Sequence, residues 1–225
     1  MAKKKKNANY VTEKNVQKQK EKEIEQQQKK RRETVKIVLL CVLAVVVLVG
    51  AVLGIGAACG MFDYYPEATG HAYVEIEGYG TLHIELYGND APKTVAHFEK
   101  LVKEGYYDGK TVYQLLDGML YCGGQNTPGY GTVDGEFAEN GVENKVSHKR
   151  GTLSYARDED YNSANGRFFI VTEKNTELDG SYAAFGRIGD GMDIIDRIVK
   201  DAQADANGYL TNPPLITSVT VHEAH

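Results

Sequence analysis

The chain has 225 residues and a formal net charge of −5, and of its three cysteines one, Cys122, lies beyond residue 60, which excludes a fold stapled by disulfides. The modest charge hides two opposite parts: residues 1–36 hold thirteen Lys or Arg against five Glu, leaving thirteen basic and twenty-six acidic side chains in residues 37–225. The basic part carries no nucleic-acid motif or aromatic interleaving, so no nucleic acid is expected as a partner.

Residues 1–36 read as a basic tail. Lys, Glu and Gln dominate from Lys14 to Arg32, with almost nothing apolar to bury, so this part is expected to be disordered or a solvated helix. From Ile37 to Phe62 there is no charged residue. Some twenty apolar residues at about 1.5 Å rise cross a hydrocarbon core of about 30 Å, so residues 37–59 are expected to form a transmembrane signal anchor. A cleaved signal peptide fits less well, because its apolar region is about 7–15 residues long and near the start of the chain. Lipoprotein processing at Cys59 lacks its large aliphatic residue, Gly56 standing in that place. The excess of positive charge before Ile37 orients the tail to the cytoplasm and the rest of the chain outward. The anchor and the basic tail are then the contacts with membrane lipid.

Residues 60–71 read as a linker and 72–225 as one domain. Val74 and Ile76 alternate with Tyr73, Glu75 and Glu77, then Leu82, Ile84 and Leu86 with His83 and Glu85. With Gly78 and Gly80 between them, these are two half-buried strands of a hairpin. Pro92 opens a helix with Val95, Phe98, Leu101 and Val102 at helical spacing, ending at Gly105. Short runs follow at Thr111 to Leu116, Met119 to Cys122, Gly151 to Tyr155, Phe168 to Thr172, Ala183 to Ile188 and Leu215 to His222, with a second helix over Met192 to Val199. Many short strands with two helices predict a mainly β fold, a closed barrel capped at its ends.

The residues then resemble a known family. Leu86-Tyr87, Ala91-Pro92-Lys93-Thr94-Val95, Gly105-Tyr106-Tyr107-Asp108-Gly109, Glu136-Phe137, His148-Lys149-Arg150-Gly151, Phe168-Phe169-Ile170, Leu178-Asp179-Gly180 and Phe185-Gly186 run in the order of a cyclophilin-type peptidyl-prolyl cis-trans isomerase. The resemblance implies a closed eight-stranded antiparallel barrel with two capping helices. A shallow outer groove would take proline-containing segments of exported proteins, with no cofactor and no metal.

Laid on the family position by position, the site is altered. The resemblance assigns Gln114, Phe169 and Tyr182 to catalytic positions, with Gln114 where the family has an arginine. It assigns Met119, Leu120, Cys122, Ala156, Arg157 and Leu178 to substrate binding, with Cys122 in place of a donor glutamine and Arg157 in place of an asparagine whose backbone binds substrate. Arg167 replaces another glutamine beside the missing arginine. It either supplies the lost charge or is a surface charge paired with Glu173 or Glu177. Ser147, His148 and Ser154 suggest a hydrolase, but in the family the segment is structural. The expectation is a prolyl isomerase of reduced efficiency on the outer side of the cytoplasmic membrane, the alternative a proline-peptide-binding module that has lost most turnover.

Overall fold

In the computed structural model, which describes residues 64, 66–124 and 130–224, the alternating segment becomes a hairpin of β1 (Gly70–Ile76) and β2 (Gly80–Leu86). Ala72, Val74, Ile76, Leu82, Ile84 and Leu86 point into the core and are buried, as a side-chain period of two requires. The turn depends on Gly78 and Gly80, whose φ angles of 77° and 118° disfavour any residue with a Cβ. β1 starts two residues before the expected domain boundary.

Helix α1 (Pro92–Lys103) follows, with Pro92 in its first turn. Ala91 at the N-cap has no side chain to satisfy the free amides. Glu136 does so from a distant segment: its carboxylate accepts from Lys93 N at 3.0 Å, Thr94 N at 2.8 Å and Thr94 Oγ1 at 2.8 Å. A negative charge there also meets the positive end of the helix dipole. The inward face of α1 buries Phe98, whose ring lies 5.2 Å from Tyr107 and 5.3 Å from Phe185.

The remaining elements are β3 (Val112–Leu116), β4 (Met119–Cys122), β5 (Thr152–Tyr155), β6 (Phe168–Val171), β7 (Ala184–Asp190), α2 (Met192–Asp201) and β8 (Ile216–Glu223). α2 buries Ile194, Ile195 and Ile198. The eight strands form one antiparallel sheet in the order β3-β4-β6-β5-β7-β2-β1-β8. The expected closed barrel is corrected to a half-barrel. Its edges β3 and β8 share no ladder and are stitched at one end by the isolated bridge Thr111–Leu215, with Val112 N donating to Pro214 O and Ile216 N to Lys110 O. Pro214 lacks an amide hydrogen and so has none to donate to a ladder between these edges.

Tyr64–His225 forms one compact unit, to which Tyr64 is tied by its hydroxyl on Asp90 Oδ2 at 3.2 Å. The expected tail and anchor, residues 1–59, lie outside the described residues. Among those described, no helix is long and apolar enough to cross a membrane.

Candidate functional site

The site is set by the register of four adjoining strands. Gln114 on β3 faces Tyr121 on β4, Tyr121 faces Phe169 on β6, and Phe169 faces Ser154 on β5. Directly opposed residues of antiparallel strands share a face, so this row lies on the outside of the half-barrel. Leu116, Met119 and Val171 make a parallel row beside it. Tyr113 is an extra residue where the β3–β4 register shifts between Val112 and Gln114. Such a bulge re-aims a side chain, and both Tyr113 and Gln114 reach the same groove.

Two surfaces result. The first is an apolar cluster on the outer face of the sheet, formed by Phe169, Met119, Ala156 and Val171, against which the partly buried Tyr121, Leu178 and Tyr182 pack. The Phe169 ring meets those of Tyr121 and Tyr182, each at 5.6 Å. The second is an open groove of about 440 Å³ lined by Tyr113, Gln114, Tyr121, Ala156, Arg157, Arg167 and Tyr209. Tyr121 and Ala156 belong to both, so the apolar cluster borders the groove.

The polar groups of the groove are engaged. Gln114 Nε2 donates to Asn207 O at 2.9 Å. Arg167 Nη2 pairs with Asp158 Oδ1 at 2.8 Å and its Nε donates to Asn165 Oδ1 at 3.4 Å. Arg157 donates from Nε and Nη2 to Ser181 O at 3.1 and 3.0 Å, and its guanidinium lies 4.7 Å from the Tyr182 ring and 4.8 Å from that of Tyr161. Burial pushes the Tyr113 phenol above its ordinary range, while the nearby Arg167 charge pulls it back. Tyr113 therefore stands in the groove wall as a neutral hydroxyl.

Beneath the cluster, His148 Nδ1 meets Asp179 Oδ1 at 2.8 Å and Nε2 meets Ser154 Oγ at 3.0 Å, with the imidazole stacked 6.1 Å from Phe169. Ser147 Oγ and His148 N also donate to the Asp179 carboxylate. Partial burial works to raise Asp179, but these donors outweigh it and hold its carboxyl below the usual range. The arrangement imitates a hydrolase triad, yet Ser154 and His148 are fully buried and no substrate reaches them. Its effect is to bolt the turn carrying Leu178 to β5.

The model of the family described as cyclophilin type peptidyl-prolyl cis-trans isomerase/CLD matches residues 71–221. The chain belongs to the cyclophilin-type isomerase family. A probable peptidyl-prolyl cis-trans isomerase of Brucella suis is 33% identical over 153 residues, covering 63% of this chain and 78% of that protein. Peptidyl-prolyl cis-trans isomerase B of Escherichia coli is 31% identical over 158 residues, covering 64% of this chain and 96% of the relative. The crystal structure of a Cryptosporidium parvum cyclophilin type isomerase, determined in the presence of the dipeptide Ala-Pro, superposes with a TM-score of 0.59 at 22% identity. It covers 68% of this chain and 99% of that one, a likeness of fold.

Within this cyclophilin domain, Gln114, Arg157, Arg167 and Ala156 line the groove, and Phe169, Met119, Leu178 and Tyr182 belong to the apolar cluster beside it. Leu120 and Cys122 do not join them. On β4 they alternate with Met119 and Tyr121, and both are packed in the interior core. Cys122 Sγ donates to Leu120 O at 3.7 Å, and burial pushes its thiol well above the ordinary range. Tyr121 takes the outward place, a position that the two-residue period of β4 would have picked. Arg167 pairs with neither Glu173 nor Glu177 but with Asp158. Tyr113, Asn207 and Tyr209 carry no motif and were not expected in the site.

Proposed function

We propose that this domain accelerates the cis–trans exchange of X–Pro bonds, and does so slowly. The observation that carries the reading is the shared Tyr121 and Ala156, which set the apolar cluster around Phe169 beside a groove holding Arg167 and Gln114, an apolar surface against which a pyrrolidine ring can pack. The uncatalysed barrier is about 18–20 kcal/mol, because twisting the amide breaks its conjugation. As the bond twists, charge returns to the prolyl nitrogen, and a donor that strengthens its hold in that state lowers the barrier. Arg167 lines the same groove as Gln114, and its charge reaches the neighbouring Tyr113. Asp158 holds its guanidinium, so turnover requires the pair to open, which lowers efficiency. No proton is transferred and no covalent bond is made.

A second reading has its own support. Because Gln114 is directed at Asn207 and Arg167 at Asp158, the groove as it stands binds a proline segment without donors ready for the twisted amide. Exchange spectroscopy on a short X–Pro peptide with the full chain separates the two. A rate above the spontaneous one supports the isomerase, whereas binding without acceleration leaves the binding module.

The place of action is proposed from the sequence. An anchor at residues 37–59 behind the basic tail puts the domain outside the cytoplasmic membrane, where its peptides are segments of exported proteins. Protease added to intact cells should degrade the domain and spare the tail; the reverse pattern overturns the orientation.

A further inference from the structure

Between α2 and β8 the chain folds back in a turn that reaches the groove. Gly208 N donates to Asp205 O at 3.0 Å, closing the turn over Ala206 and Asn207, and Asp205 N donates to Tyr209 O at 2.9 Å. The Asp205 side chain ties the turn from within: its Oδ1 accepts from Asn207 N at 2.8 Å and from Tyr209 N at 2.9 Å, the local bond that makes aspartate a turn former. The turn is in turn laced to β3. Leu115 N donates to Gly208 O at 2.8 Å and Leu210 N to Tyr113 O at 2.9 Å, on either side of the bridge between Gln114 and Tyr209. Gly208, at a φ of 79°, lies so close to β3 that a Cβ there would run into Leu115 O. Asn207 O is thereby brought to Gln114 Nε2 at 2.9 Å, and the Tyr209 ring is set near-parallel to that of Tyr113 at 6.4 Å. Tyr113, Gln114 and Tyr209 all line the groove.

We propose that Asp205 is a positioning residue for the X–Pro site, and that through Asn207 it sets Gln114 as an acceptor that holds a bound peptide by a backbone N–H. The inference rests on the groove being the X–Pro site. A backbone carbonyl only accepts, so Asn207 O selects the amide nitrogen of Gln114 and leaves the carbonyl Oε1 turned away from it. Among the described residues nothing donates to that oxygen. Guanidiniums only donate, so Arg157 and Arg167 suit the carbonyls of a peptide in the groove, and Gln114 Oε1 supplies the amide acceptor for its N–H groups. The prolyl nitrogen carries no hydrogen, so the N–H held is that of a residue beside the proline. This hold is alike for the planar and the twisted bond. It therefore strengthens binding without lowering the barrier, and Arg167 remains the group that acts on the twisted amide. Without the Asp205 side chain the turn loses both Oδ1 contacts, Asn207 O is no longer fixed, and the Gln114 amide rotates freely.

The test is a titration of the full chain with a short X–Pro peptide, followed by exchange spectroscopy so that Kd, KM and kcat come from the same samples. The variants are Asp205→Ala, Asp205→Asn, Gln114→Ala and the double variant Asp205→Ala with Gln114→Ala. Asp205→Ala should weaken binding about fivefold, in Kd and KM alike, with kcat unchanged, because a hold common to both states is lost. Asp205→Asn keeps an Oδ1 acceptor and should bind as wild type does. The double variant should bind no more weakly than Gln114→Ala alone, since Asp205 acts through Gln114; a merely structural turn would add its own loss. An ester replacing the amide of one residue beside the proline should cost wild type about the same factor and cost Gln114→Ala nothing. An unchanged Kd in Asp205→Ala, or losses that add in the double variant, overturns the proposal. Binding that follows this pattern without acceleration upholds it and refutes the isomerase reading alone, whereas a wild type that neither binds nor accelerates overturns both.

Discussion

Replacing Arg167 by glutamine removes one of the two groove guanidiniums while keeping amide donors. A hydrogen bond from a charged donor contributes about 1.5–3 kcal/mol net, against about 0.5–1.5 for a neutral one. Arg167→Gln should therefore forfeit about 1–1.5 kcal/mol in the twisted state, a fall of roughly tenfold in kcat/KM. Stability should hardly change, because the lost Asp158 pair has side chains 19% and 69% exposed and such a partly exposed pair contributes about 0–1 kcal/mol. Asp158→Asn makes the opposite change. It releases the guanidinium and should raise kcat/KM several-fold, with no gain when Arg167→Gln is already present. Gln114→Arg should then add little, since it places a second cation beside the first. The assay is the exchange rate of a short X–Pro peptide, with a chemical melt of each variant as control. A robust wild-type rate left untouched by both Arg167→Gln and Asp158→Asn would refute the assignment and leave the apolar cluster alone as the source of acceleration.

Three further tests address the frame around the groove. Glu136→Ala strips the N-terminus of α1 of its acceptor in a buried place and should cost about 3 kcal/mol, read from a denaturant midpoint; an unchanged midpoint removes the capping role. Asp179 titrates below its unfolded value of 3.8, so its contribution is present above that pH and lost as the pH falls through the folded value. Stability should drop below about pH 4 in wild type, less steeply in Asp179→Asn, and parallel acid curves for the two would contradict this. Tyr121→Ala should slow the peptide reaction, whereas Cys122→Ala should leave the rate intact and lower stability by about 1 kcal/mol, since Cys122 faces the core; a rate loss confined to Cys122→Ala would reverse the assignment of faces.

The elements were legible where hydrophobic period and glycine placement agree, as in the β1–β2 hairpin and at Pro92 of α1. Phe169, Met119, Ala156, Leu178 and Tyr182, which the family resemblance names, do come together in one outer apolar cluster. Leu120 and Cys122 were misplaced because matching positions to a family passes over the pleat, which turns every second side chain of β4 inward. Asn207 and Tyr209 come to Gln114 across more than ninety residues, and no local pattern announces such a contact. Asp158 is nine residues from Arg167, a spacing that no helix or strand rule links. Closure of the sheet could not be read at all, because it depends on how far β3 and β8 run beside each other.

β1 lies between β2 and β8, and Ala72 is paired with Val221. One flank of the first strand therefore stays unpaired during synthesis until almost all of the domain has been made. Joining segments about 150 residues apart is a slow entropic search. While it lasts, the amides and carbonyls of β1 form an exposed edge open to other chains. Folding of this domain is thus governed by its last strand, and a chain truncated before Ile216 should collapse without completing the sheet and be prone to aggregation.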